Sequence, residues 1–251
     1  MNFAAESSSA TEERVFLTAE WRDVVMLNYE VDAALLAGYV PRGTELDAFG
    51  RRTLVSLVGF RFLRTRIFGV LPIPFHATFD EVNLRLYVRR REASGAVRRG
   101  VVFIREIVPK RAVAAIARIA YNENYSCHPM RHQVHTDGAG IRAAYEWRSG
   151  GEWIGLHGEA RDEPAPPAEG SMEQFVSEHY WGYSRQRDGG TVEYHVTHPR
   201  WRVWHSTSGG FVGDGAEMYG AEFGKVLTRQ PDSAFVAEGS EVTVFAGRQM
   251  A

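Results

Sequence analysis

Within Phe79 to Val88, polar and apolar side chains alternate without a break from Glu81 onward. Val82, Leu84, Leu86 and Val88 fall on one side, and Glu81, Asn83, Arg85 and Tyr87 on the other. A period of two is that of a β-strand. Four groups with charge or hydrogen-bonding capacity therefore share one face. Such a face either meets water or lines a pocket. In a pocket, an acid, an amide, a guanidinium and a phenol would together bind and orient a small polar molecule.

The same patterning predicts further elements. Residues 53–62 are rich in Val, Leu and Phe and read as a buried strand. Residues 100–108 form a second arm that the Gly/Ser/Arg turn at 92–100 folds back against the opening strand. Asp32 is a plausible N-cap for a short helix at 33–36. Pro109 opens a helix over 112–121. Asp188-Gly189-Gly190 marks a hairpin between 183–187 and 191–197. Short strands are expected at 139–160, 200–205 and 241–245, and a short helix at 216–227. Gly150-Gly151 and Gly209-Gly210 read as turns. The proline-rich stretch 162–171 is a loop. The sum is an α+β, mostly β domain with two or three short helices and an antiparallel, barrel-like sheet. Residues 1–15, polar and Ser-rich at the start, are expected to be a disordered leader, and 16–251 a single domain.

Composition narrows the class. The chain has 251 residues, a hydrophobic fraction of 44% and a formal net charge of −2. That balance carries no nucleic-acid footprint. The arginine clusters at 89–91 and 98–99 read as solvated shoulders of the hairpin. No window is apolar enough for a membrane span. Cys127 is the only cysteine, which fits a reducing cytoplasm. Lys110 and Lys225 are the only lysines, so imine chemistry has two candidate amines. Lys110 stands at a helix start and Lys225 in an amphipathic stretch, where solvation is the default.

Several residues offer chemistry. Arg105 and Glu106 alternate sides of the second arm, and one of them faces the row of Glu81, Asn83 and Arg85. Arg85 or Arg105 would hold an anion by a charge-assisted fork. His76 precedes the opening strand and is placed for a pocket mouth. Cys127, His128, His132 and His135 could supply four metal ligands within nine residues, but their spacing matches no zinc signature. Neither a metal nor a cofactor is expected. Trp181, Trp201 and Trp204 read as core.

Four segments together resemble a known family. They are Phe79-Asp80-Glu81-Val82-Asn83-Leu84-Arg85, Gly100-Val101-Val102-Phe103, Glu178-His179-Tyr180-Trp181-Gly182-Tyr183 and Phe245-Ala246-Gly247-Arg248. They look like the uncharacterised YqjF-like bacterial proteins, from about Leu17 to Arg248. The wider relatives are the acetoacetate-decarboxylase-like proteins. That resemblance implies a cone-shaped antiparallel β-barrel around a small-molecule pocket. It also implies a lysine that forms an imine with a keto acid, beside a glutamate and an arginine. Glu81 looks like the glutamate position, and Arg118 fits the relatives' catalytic segment. The relatives' paired lysines fall on Tyr125 and Ser126, so the nucleophile is missing here. Tyr121, Glu123 and Tyr125 occupy that segment, with Tyr as donor and Glu as base when desolvated.

The expected function is binding of a small carboxylate- or carbonyl-containing metabolite. It would come with lysine-independent lyase, hydratase or isomerase chemistry in which Glu81, Tyr121, Glu123 and Tyr125 act. His76, Asn83, Arg85, Arg105, Glu106 and Arg118 would bind the substrate. A non-catalytic ligand-binding or accessory protein is the alternative, and a metal-dependent hydrolase using Cys127, His128, His132 and His135 a second one. The expected partner is a small molecule, with no nucleic acid and no membrane, and self-association is left open.

Overall fold

A computed structural model of the chain describes residues 13–72, 77–115 and 122–250. The alternating segment is the strand β5 (Phe79–Arg91). It pairs antiparallel with β3 (Thr53–Ile67) and with β6 (Val97–Val108). β3 in turn pairs with the long first strand β1 (Val15–Val31). β1 pairs with β14 (Ser233–Phe245), longer than the closing strand expected at 241–245.

β6 also pairs, in parallel, with β11 (Trp181–Arg185). β11 joins β12 (Thr191–Thr197) through the predicted Asp188-Gly189-Gly190 hairpin. β12 then meets β14 at Val196–Val244 and Thr197–Thr243. The order β12-β11-β6-β5-β3-β1-β14 is thereby a ring of hydrogen-bonded strands that returns to its start. Short additions flank it: β2 (Glu45–Leu46), β4 (Leu71–Pro72), β7 (Tyr125–Cys127) and β15 (Arg248–Gln249).

The remaining strands extend from β14. β13 (Val203–Val212) pairs with it and leads to β10 (Glu152–Arg161), β9 (Gly140–Ser149) and β8 (Met130–Asp137). Gly209 and Gly210 lie inside β13 and do not form a turn. A Cβ on Gly209 would sit 3.0 Å from the Ala234 Cβ, so glycine lets two strands approach. The helices are α1 (Ala33–Leu36), α2 (helical at 111–115), α3 (Met172–Ser177), α4 (Ala216–Tyr219) and α5 (Ala221–Leu227). Asp32 caps α1 as expected, accepting from the Ala34 N–H. The expected 216–227 helix breaks at Gly220, whose φ is 85°. None of the described helices is long and apolar enough to cross a membrane. The fold is mostly β, α+β, with few helices.

Two cores follow from the alternation. Val82, Leu84, Leu86 and Val88 join a cluster with Trp147, Leu156, Met218 and Phe223, where β9, β10, α4 and α5 cover the outer face of the ring. The inner cluster holds Met26, Val58, Phe60, Phe79, Tyr87, Phe175 and Phe235. Both faces of β5 are therefore buried, and the face expected to be polar points inward. Ring curvature needs local kinks. Asp23 takes φ 55° within β1, and its neighbour Arg22 stands opposite Gly239 at φ 73° in β14. A Cβ on Gly239 would fall 2.0 Å from the Trp21 carbonyl oxygen, so only glycine fits there.

Other expectations change in detail. Val15, the last residue of the expected leader, opens β1, and the Arg14 carbonyl accepts from the Ala246 N–H. Residues 1–12 lie outside the described residues. Three of the expected solvated arginines are engaged with buried carboxylates. Arg90 and Arg98 donate to Glu193 at 2.6 and 2.9 Å, and Arg99 to Asp47 at 2.6 Å. Burial alone would raise the Glu193 pKa, yet Arg90 and Arg248 hold it below the usual value.

Candidate functional site

The inward face of β5 borders a cavity of about 140 Å³ inside the ring. Its wall is largely aromatic, with Trp21, Phe60, Phe62, Phe79, Phe103, Trp181 and Trp201. Phe62 and Phe79 stack with centroids 4.6 Å apart. Trp201 and Trp204 are core as expected, and Trp201 also borders the cavity together with the partly buried Trp181.

Into this apolar wall the chain sets three glutamates from three elements. Glu81 comes from β5 and Glu106 from β6, whose cross-strand partner is Asn83. The third, Glu123, sits in the turn before β7. That turn is anchored on both sides: Asn122, at φ 54°, donates to the Arg185 carbonyl, and Asn124 to the Ile104 carbonyl, each at 2.9 Å. β7 runs parallel to β6 and brings Tyr125 beside Glu106.

The Tyr125 hydroxyl donates to Glu81 Oε2 at 3.1 Å, and Asn83 Nδ2 donates to Glu81 Oε1 at 3.2 Å. Tyr194 of β12 donates to Glu123 Oε1. That reach depends on Gly182 across the hairpin, because a Cβ there would lie 2.0 Å from Tyr194 Cζ. Glu106 Oε2 and Asn83 Oδ1 are buried with no hydrogen-bond partner.

Burial dominates the electrostatics. It raises Glu81 to about 7 against the hydrogen bonds from Asn83 and Tyr125. It raises Glu123 to about 8, opposed by Tyr194 and reinforced by Glu81. Glu106 is pushed well above the usual range by burial and then by Glu123 and Glu81. Tyr125 is likewise pushed up and keeps its proton. Carboxyls this close titrate as a set, not singly. Near neutral pH the set holds protons and presents O–H donors.

Arg85 supplies the opposite character. It is half-buried, donates from Nη2 to the Val176 carbonyl at 3.0 Å, and its Cζ lies 5.6 Å from the Tyr87 ring centroid. Its Nε is buried without a partner. Among the described residues no carboxylate pairs with it.

The expected site residues therefore divide. Glu81, Asn83, Arg85, Glu106, Glu123 and Tyr125 meet at one cavity. Arg105 does not. The β5–β6 register shifts between Leu84 and Arg85, so Arg105 stands opposite Leu84 while Phe103 stands opposite Arg85. Its charge acts on the Tyr219 phenol, outside the ring. His76, Arg118 and Tyr121 lie outside the described residues.

The histidine cluster separates. His128 Nδ1 lies 2.9 Å from the Arg148 carbonyl, His132 Nδ1 2.9 Å from Asp80, and His135 Nε2 3.3 Å from Asp137. Among the described residues no three His, Cys, Asp or Glu side chains form a group able to hold a metal ion. Lys225 pairs with Glu222 on the surface, and neither it nor Lys110 borders the cavity.

Sequence reasoning missed His179, His198 and Tyr194, which also line the cavity. Tyr194 had a signal, since Val192, Tyr194 and Val196 form an alternating stripe that packs as a small cluster. His179 had none beyond its place in the 178–183 motif.

Comparison with known proteins bears out the family expected from the motifs and the fold expected of its wider relatives. Over 75 residues the chain is 32% identical to the uncharacterized protein YqjF of Bacillus subtilis (strain 168), covering 30% of this chain and 31% of that one. The matched stretch thus spans about a third of the curated relative. Acetoacetate decarboxylase of Legionella pneumophila superposes with a TM-score of 0.66 at 14% identity, covering 100% of this chain and 98% of that one. The enduracididine biosynthesis enzyme MppR, complexed with pyruvate, superposes with a TM-score of 0.61 at 15% identity, covering 98% of this chain and 93% of that one. These two show a shared fold. Residues 18–241, nearly the whole chain, match the DUF2071 family, described as uncharacterized conserved protein (COG2071), and the chain belongs to that family.

Proposed function

We propose that the ring, antiparallel except where β6 meets β11, is the cone-shaped barrel of the acetoacetate-decarboxylase-like proteins and that its cavity binds a small metabolite with a carboxylate and a carbonyl. The observation behind this reading is Arg85, a guanidinium without a carboxylate partner at a cavity whose glutamates are driven toward the neutral form. An anion entering there meets one positive charge and several hydrogen-bond donors. That MppR has been obtained with pyruvate supports the ligand class on a shared fold. Arg85 holds the anion. The protonated glutamates donate to the ligand's other oxygen and act as general acids, with the Tyr125 hydroxyl orienting Glu81. No lysine borders the cavity, so the chemistry is lysine-independent proton transfer, of the kind lyases, hydratases and isomerases use.

The test is calorimetric titration with pyruvate and with its uncharged amide. Binding of pyruvate but not of the amide, weakened tenfold to a hundredfold in Arg85→Gln, is the expected result. Equal binding of the two sinks the anion reading. Borohydride added to the pyruvate complex is expected to leave the protein mass unchanged, because an imine needs a cavity lysine. A trapped adduct on Lys110 or Lys225 would overturn the lysine-independent assignment.

A further inference from the structure

One buried titratable group has no role in the reading above. His179 follows α3, its side chain is 1% exposed, and it lines the cavity. Its Nε2 lies 3.1 Å from Asp47 Oδ2. Asp47 is itself buried and takes a second hydrogen bond from Arg99 Nε at 2.6 Å. Burial would raise the Asp47 pKa, but the hydrogen bonds from His179 and Arg99 hold it below the usual value, so it is a carboxylate. A carboxylate only accepts, and this fixes the imidazole proton on Nε2.

Nδ1 is then a bare lone pair. It is buried and has no partner. Tyr87 and Phe175 flank the ring at centroid distances of 4.8 and 4.9 Å and keep it from turning. The Tyr87 ring also contacts Arg85. An oriented acceptor and an oriented cation thus share one aromatic neighbour at one cavity. Burial, with the charges of Arg99 and Arg85, favours the neutral imidazole against the opposing effect of its hydrogen bond to Asp47.

We propose that His179 is the general base of this cavity, with Asp47 as its positioning residue, acting on a carboxylate ligand that carries an acidic C–H beside its carbonyl. The C–H bond breaks and an N–H bond forms at Nδ1. The C–H electron pair becomes the carbon–carbon double bond of an enolate, and the carbonyl pair moves to oxygen. Asp47 offsets the charge of the imidazolium, and Arg85 and the glutamate O–H groups offset that of the enolate. Reversal returns the proton to carbon, so no co-reactant is needed. The inference rests on the carboxylate reading of the cavity.

Deuterium exchange into pyruvate provides the test, because it needs no knowledge of the natural substrate. The full chain is incubated with pyruvate in D2O, and methyl deuteration is followed by proton NMR beside a pyruvate titration. Wild type is expected to exchange faster than solvent alone. His179→Gln is expected to lose roughly a hundredfold of that rate, within the range for a general base, while still binding pyruvate. In parallel, nitrogen-15 spectra are expected to show His179 protonated on Nε2 in the wild type. Asp47→Asn is expected to release this preference and to slow exchange, a change of tautomer that a purely structural aspartate would not produce. Should His179→Gln fail to fold, the tautomer and Asp47→Asn measurements decide the matter.

A proton on Nδ1 in the wild type overturns the proposal. So does pyruvate binding without exchange, or exchange that His179→Gln leaves intact. In each of the latter two cases the carboxylate reading survives. Failure of the wild type to bind pyruvate removes both.

Discussion

The Tyr125 hydroxyl stands 3.1 Å from Glu81 Oε2 and donates to it, joining a parallel strand end to the inward face of β5. Resemblance places a lysine of the decarboxylase-like relatives at the position of Tyr125. A phenol there neither forms an imine nor carries a positive charge. It leaves the neighbouring carboxyls without a cation of their own, so burial governs their protonation.

Tyr125→Phe removes that donor. The hydrogen bond lowers the Glu81 pKa, so its loss is expected to raise Glu81 above about 7. The variant is expected to lose about 1–3 kcal/mol of stability, the usual cost of an unsatisfied buried polar group. Difference infrared spectra across a pH series would follow the carboxyl stretch. An unchanged or lower midpoint would refute the assignment.

The raised glutamates make stability depend on pH in a defined direction. Each binds a proton more tightly when folded than when unfolded. The contribution is fully present below the ordinary value of 4.5 and is lost as pH rises through about 7 for Glu81 and about 8 for Glu123. The melting temperature is therefore expected to fall from pH 5 toward pH 8. Glu81→Gln and Glu123→Gln are each expected to flatten that slope. A slope that neither substitution changes would place its origin elsewhere.

Gly182 is expected to tolerate no side chain while Tyr194 is present. A Cβ at 182 would lie 2.0 Å from Tyr194 Cζ and 2.4 Å from its hydroxyl oxygen. Gly182→Ala must push the ring off and part it from Glu123, at a cost of roughly 1–3 kcal/mol for overpacking. In Tyr194→Ala the same glycine substitution is expected to cost far less. Denaturant unfolding of the four proteins measures that coupling, and additive costs would exclude the contact as the cause.

Arg85→Gln is expected to weaken carboxylate binding tenfold to a hundredfold, from about 1.5–3 kcal/mol for a charged hydrogen bond. Arg85→Lys is expected to restore little, because an ammonium cannot keep the Val176 carbonyl and present a second planar donor. Calorimetric affinities for pyruvate compare the three proteins.

The strands β5 and β6 and the hairpin at Asp188 were legible in the sequence because a period of two and a tight turn are local properties. So was the placing of Glu81, Asn83 and Arg85 on one face, though not the direction in which that face points. The partner of that row was not. Choosing between Arg105 and Glu106 took the register shift between Leu84 and Arg85, which belongs to the pairing of two strands and not to either alone. Gly209-Gly210 read as a turn because glycine marks both turns and close strand approach, and only the neighbouring Ala234 distinguishes them.

What the sequence determined by itself was the alternation of β5, the small stock of lysines and the family motifs. What the tertiary structure decided was which groups share a cavity. Glu123 reaches Tyr194 across 71 positions and Asp47 reaches His179 across 132. No local pattern encodes such separations. The protonation of the glutamates is likewise a product of enclosure, because a carboxyl departs from its ordinary pKa only once the folded ring has taken water away from it.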